Sequence, residues 1–179
     1  TGTGNSYGQP AVTNGSGVTT GTVSSTVAQA KTVSATISGV AITQTAALTV
    51  SPGAPSAAQS LVTASGPITA GGAGSTITIT VRDLYNNPIP GATATFTVSG
   101  AGTAVTQPAG VTNASGVITG SFTATLAETK SVVVTVNGAT VLSAQPTVVV
   151  NPGAVSPGVS SVTASSPIIA GGTGSTVTI

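Results

Sequence analysis

Only five side chains in this 179-residue sequence ionise near neutral pH: Lys31, Arg82, Asp83, Glu128 and Lys130. His and Cys are both absent, which removes the commonest general base, the thiolate nucleophile and the usual zinc ligands together. A two-carboxylate hydrolase would need Asp83 and Glu128 to face each other across a cleft. Isolated surface charges at strand ends explain the pair more simply, so no catalytic residue is assigned and no enzyme is expected. Asp83, Asn86 and Asn87 could offer oxygens to calcium, which takes about 6–8 ligands with several carboxylates. A Pro-Gly-rich turn accounts for the same residues, and neither a metal site nor a cofactor is expected. Lys130 near Glu128 raises the chemistry of a Lys–Asn crosslink. Lys31 recurs at the matching position, but Gln29 stands there in place of the acid. The favoured reading is a lysine at a strand start with its stem on apolar surface and its head in water. Two sequons, Asn14-Gly15-Ser16 and Asn113-Ala114-Ser115, make Asn14 and Asn113 candidate glycosylation sites. Turns also use Asn and Ser to satisfy local backbone groups, so both readings stay open.

The elements that position these residues follow from composition. Hydrophobic residues make up 39% of the chain, yet there are only two Phe, two Tyr, no Trp and no Met. Cores must therefore be built from Val, Ile, Leu and Ala. β-Branched Val, Ile and Thr suit a pleated, half-buried surface, and 24 Gly with 11 Pro punctuate the chain. With a net charge of +1 there is no basic patch for phosphates, and no aromatic platform for bases, so nucleic acid is excluded as a partner. A surface this close to neutral does little to repel its own copies. No apolar run approaches the ~18 residues of a membrane span. An export signal or anchor is expected to lie outside these residues.

Internal repetition organises everything else. Residues 62–79, VTASGPITAGGAGSTITI, match residues 162–179, VTASSPIIAGGTGSTVTI, at 14 of 18 positions. Thr13-Asn14 matches Thr112-Asn113, Lys31 matches Lys130, and Gln9-Pro10 matches Gln107-Pro108. The expected organisation is the C-terminal half of a unit over 1–53, a complete unit over 54–153, and the N-terminal part of another over 154–179. The chain reads as a window on a longer array.

Within the complete unit, period-two alternation predicts strands. Ile77, Ile79 and Val81 alternate with Thr76, Thr78 and Thr80, and Ala92, Ala94, Phe96 and Val98 alternate with Thr93, Thr95 and Thr97. Ile118, Phe122, Ala124 and Leu126 form another inner set. Residues 131–136 and 147–150 are Val-rich and expected to be more fully buried. Asn137-Gly138 predicts a short hairpin. About seven short strands per hundred residues, with frequent turns, give an all-β fold of tandem immunoglobulin-like β-sandwich repeats.

Residues 75–100, STITITVRDLYNNPIPGATATFTVSG, resemble the bacterial Ig-like repeat of intimin- and invasin-type surface adhesins. The family pattern falls on Asp83, Asn86, Asn87, Pro88, Pro90, Gly91 and Ser99-Gly100. Its later turn falls on Thr112, Asn113 and Gly116, and on Thr13, Asn14 and Gly17 in the first copy. The resemblance implies an extracellular, cell-surface spacer whose partners are neighbouring repeats of the same chain. Each unit should extend the rod by roughly 30–40 Å. The short, Pro-containing junctions 50–55 and 150–154 should restrict bending. Competing deployments are homo-association into a filament, sheath or bundle, and a glycan- or ice-binding face carrying Thr93, Thr95 and Thr97.

Overall fold

A computed structural model describes all 179 residues, and every regular element is a β-strand. The N-terminal segment carries β1 (Asn5–Gly8), β2 (Thr22–Ser25), β3 (Ala30–Val33), β4 (Thr36–Ile37), β5 (Val40–Ala41) and β6 (Ala46–Thr49). The middle of the chain carries β7 (Leu61–Ala64), β8 (Ile68–Thr69), β9 (Ser75–Thr80), β10 (Ala94–Val98) and β11 (Thr103–Thr106). It continues with β12 (Val117–Ala124), β13 (Thr129–Val136), β14 (Thr140–Val141) and β15 (Thr147–Asn151). Two short strands follow, β16 (Thr163–Ala164) and β17 (Val177–Thr178).

The middle strands make two sheets. One runs β11-β12-β9-β7, and the other runs β10-β13-β15-β8 with β14 attached to β13. Alternation decides which face turns inward. Ile77 and Ile79 of β9, Phe96 of β10, and Val132, Val134 and Val136 of β13 are buried, while Thr76, Thr95 and Thr97 face water. The inward faces meet in one apolar cluster of 17 residues between Val62 and Val150. Phe96 from one sheet and Phe122 from the other are its two largest side chains. The Ig-like β-sandwich expected from the sequence is the fold observed.

Several details differ. Strand β9 ends at Thr80, because Val81 leaves the ladder to accept Ile89 N–H at 3.0 Å. Strand β10 starts at Ala94, because Ala92 N–H is taken by Thr112 Oγ1 and Thr93 N–H by Asn137 Oδ1. Leu126 was expected inside and is 49% exposed. It sits beyond β12 in a turn that Thr125 N–H closes onto Gly102 O. Val149 is also exposed, since β15 alternates and buries only Val148 and Val150. The Asn137-Gly138 turn forms as expected: φ is 50° and 69° at the two residues, and Ala139 N–H donates to Val136 O at 3.1 Å. This positive-φ pair carries the twist that a two-strand ribbon needs. On either side of the sandwich burial is sparse. Only Lys31 is buried among residues 1–53, and none is among 154–179.

Candidate functional site in the loop Asp83 to Asn87

Between β9 and Pro88 the chain folds back on itself. Asp83 N–H donates to Asn87 O at 3.0 Å, and Asn86 N–H donates to Asp83 O at 3.0 Å. Asn86 takes φ 67°, a left-handed conformation that Asn tolerates better than most side chains. The Asp83 carboxylate is 2% exposed and fully used. Its Oδ1 accepts Tyr85 N–H and Asn87 N–H, both at 2.9 Å. Its Oδ2 accepts the Asn87 side-chain amide at 2.8 Å and, from the chain joining β6 to β7, Gly53 N–H at 2.9 Å. The expected isolated surface charge is therefore a buried anion. One carboxylate shapes its own loop and holds the incoming linker.

Burial pushes the Asp83 pKa up. The Asn87 amide, followed by the backbone N–H groups of Gly53, Asn87 and Tyr85, outweighs it and holds the carboxyl below 3.8. A carboxyl depressed in the folded state stabilises above its unfolded pKa, and that stability is lost as pH falls through the folded value. Urea midpoints of the wild type should hold from pH 8 to 5 and drop below about pH 4. In Asp83→Ala that acid-side drop should be smaller. A carboxylate ringed by N–H donors is also poorly suited to a cation, which needs oxygen ligands.

Asn87 extends the loop to the N-terminal segment. Its Nδ2 carries two hydrogens and donates to Thr26 O at 2.9 Å as well as to Asp83 Oδ2. Its Oδ1 accepts Ala28 N–H at 3.0 Å. The carboxamide thus reads main-chain atoms of the turn Thr26–Ala28 and is indifferent to that turn's side chains. Val27 in this turn is half-buried. Its counterpart in the second copy, Leu126, is more exposed. Leu84 and Tyr85 project from the same loop, both mostly exposed.

Glu128 belongs to a different network. Lys130 is wholly buried, donates from Nζ to Ala101 O at 2.6 Å, and pairs with Glu128. In the first copy Lys31, 4% exposed, donates to Thr3 O at 2.9 Å. There the Gln29 side-chain amide, once its oxygen is turned toward them, accepts from Lys31 Nζ at 2.9 Å and from Thr3 N–H at 3.1 Å. The expected water-facing lysine head is instead folded inward to pin a glycine-rich loop onto the strand. Lys130→Met keeps the apolar stem but strands the Ala101 carbonyl, so a urea melt should show a loss of about 1–3 kcal/mol. Asp83 and Glu128 share no partner, and the structure does not bring them together as a catalytic pair.

Asn14 and Asn113 occupy equivalent exposed turns. Asn113 Oδ1 accepts Ser115 N–H at 2.9 Å and Val117 N–H at 3.0 Å. Asn14 Oδ1 accepts Ser16 N–H and Val18 N–H, both at 3.0 Å. Turn formation alone therefore gives both Asn residues a structural role. Thr95 and Thr97 lie exposed on β10, whereas Thr93 precedes it.

Comparison with known proteins places this architecture. A family profile described as "Bacterial Ig-like domain (group 1)" matches residues 58–150, and the chain belongs to that family. Among solved structures it is similar to InvD of Yersinia pseudotuberculosis, at 26% identity and a TM-score of 0.65 over 94% of this chain and 53% of that one. It is similar to invasin, described as a bacterial integrin-binding protein, at 26% identity and a TM-score of 0.61 over 92% of this chain and 34% of that one. The adhesin InvE of Yersinia pseudotuberculosis matches at 31% identity and a TM-score of 0.50, over 62% of this chain and 30% of that one. The chain thus spans about half of InvD and about a third of the other two. Among curated proteins none matches. The chain carries a structural Ig-like domain of the adhesin type. No helix is long and apolar enough to cross a membrane.

Proposed function

We propose that this chain is a non-catalytic, semi-rigid spacer on the surface of a bacterial or archaeal cell, built from Ig-like units joined end to end. The units are residues 1–53, 54–153 and 154–179, the first and last being parts of units and the middle one complete. One observation carries the reading: the Asn87 carboxamide bridges Thr26 O and Ala28 N–H while Asp83 holds the linker at Gly53. A linker held at a buried carboxylate and a loop bonded to the preceding unit resist bending, unlike a free Gly/Ser connection. The contact uses backbone atoms, so one loop design serves every junction of an array. The turn Thr125–Ala127 offers the same carbonyl and N–H to a unit that follows. Similarity to adhesin domains supports a cell-surface setting.

Asn87→Ala tests the reading with little harm to the sandwich core, because the side chain bonds mainly outside it. In ¹⁵N relaxation, β3 and β13 of the wild type should tumble with one correlation time, and in Asn87→Ala they should separate. Separate tumbling already in the wild type would refute a stiff junction.

A further inference from the structure

Strand β10 lies at the edge of the five-stranded sheet, with β13 on one side only. Thr93 and Ser99 bond toward β13, through Asn137 N–H to Thr93 O and Ser99 N–H to Ser131 O. In an antiparallel ladder alternate residues point their peptide groups to opposite sides. Ala94, Phe96 and Val98 therefore turn N–H and C=O outward, the exposed template on which edge-to-edge pairing begins. Proteins usually guard such an edge with charge, often lysine. This chain has five charged side chains in all, and none lies on β10 or β11.

The edge is closed by an uncharged device. Gln107 Oε1 accepts Phe96 N–H at 2.9 Å, and Gln107 Nε2 donates to Phe96 O at 2.7 Å. A primary amide bonded to both groups of one residue reproduces what a paired strand would supply there. The backbone around it is fitted to the task. A Cβ on Gly120 would lie 2.6 Å from the Phe96 ring, 2.9 Å from Thr106 O and 3.0 Å from Pro108 Cδ. The absent side chain lets Thr106–Pro108 press close over Phe96 and aim Gln107 at the strand. Gln9, Pro10 and Gly21 repeat the trio in the first copy, where a Cβ on Gly21 would lie 3.2 Å from Pro10 Cδ.

We propose that Gln107 is a built-in plug on β10, and that removing it uncovers a docking edge for a second copy of this chain. The partner follows from the geometry. Two β10 strands laid antiparallel about a two-fold axis would let Phe96 of each copy exchange both bonds with Phe96 of the other. Ala94 of one copy would then oppose Val98 of the other, a self-complementary contact. The amide of Gln107 occupies the position of the incoming Phe96 peptide. The plug keeps a nearly uncharged rod from joining its neighbours sideways, and so favours a solitary stalk over a bundle. This inference is independent of the junction at Asn87, which the variants below leave intact.

Sedimentation velocity of the full chain over a hundredfold concentration range provides the test. The wild type should stay monomeric, while Gln107→Ala should form a concentration-dependent dimer with an unchanged far-UV spectrum. Adding Thr95→Lys and Thr97→Lys sets like charges across the proposed pair and should restore the monomer. A monomeric Gln107→Ala would overturn the proposal, as would dimerisation that survives the two lysines. Hydrogen exchange on the wild type gives a reading that needs no variant. The Phe96 amide should exchange at least tenfold more slowly than those of Ala94 and Val98, and equal rates would also overturn the proposal.

Discussion

Asp83→Ala should lower the stability of the central sandwich by about 3 kcal/mol, which for a unit of this size lowers Tm by roughly 15 °C. The figure follows from what the carboxylate leaves behind. It accepts from Tyr85 N–H, Asn87 N–H, Gly53 N–H and the Asn87 side-chain amide. Alanine accepts none of these, and a buried donor without a partner costs its full desolvation. The loss would exceed that of a surface charge, for which about 0–1 kcal/mol is usual. Asp83→Asn should fall between wild type and alanine, since its amide retains an acceptor but forces a donor against the surrounding N–H groups. Differential scanning calorimetry of the three proteins gives the order directly. A ΔTm within 2–3 °C for Asp83→Ala would mean that the carboxylate is not an integral part of the fold.

Phe96→Ala should cost more still, about 3–5 kcal/mol. Phe96 is 1% exposed and is one of only two Phe in a chain without Trp or Met. The cluster it belongs to is mostly β-branched Val and Ile, which have few rotamers with which to fill a hole. The cavity should therefore persist, and the cost should lie toward the upper end. Urea denaturation at pH 7 would measure it. Ile79→Val removes one methylene at a fully buried position and should cost only about 0.5–1.5 kcal/mol. The contrast separates loss of an anchor from ordinary thinning of the core.

What the sequence made legible was what repeats or alternates. Thr between Ile at 76–80 and between Ala and Phe at 93–97 announced strands with one wet face, and Asn137-Gly138 announced its hairpin. Leu126 misled because alternation does not say where a strand stops. The chain turned at Thr125, and the next inner position never came. The site was less legible, for a different reason. Asp83 and Asn87 look like ordinary turn residues, and residues 80–98 occur only once, so no second copy marks them. Their role depends on contacts with Gly53, Thr26 and Ala28, distant in sequence and made through backbone atoms that leave no side-chain signature. Lys31 and Lys130 repeat in both copies, yet a strand-start lysine reads as water-facing until the loop that takes its Nζ is known. A residue type this scarce, kept at the same place in both copies, has a structural task, and burial at the strand start turned out to be that task. Gln9 and Gln107 gave the same signal, but an amide beside Pro reads as loop until the edge strand beneath it is known.

Asn87 and Asp83 tie the N-terminal segment to the central sandwich through Thr26, Ala28 and Gly53. Because the chain has no native Cys, nitroxide labels can be placed at Ser24→Cys and Thr119→Cys without further changes, and the distance between them measured by double electron–electron resonance. One narrow distance distribution is expected, broadening at least twofold when Asn87→Ala is added. A distribution already broad in the labelled parent, or one that Asn87→Ala leaves unchanged, would contradict it.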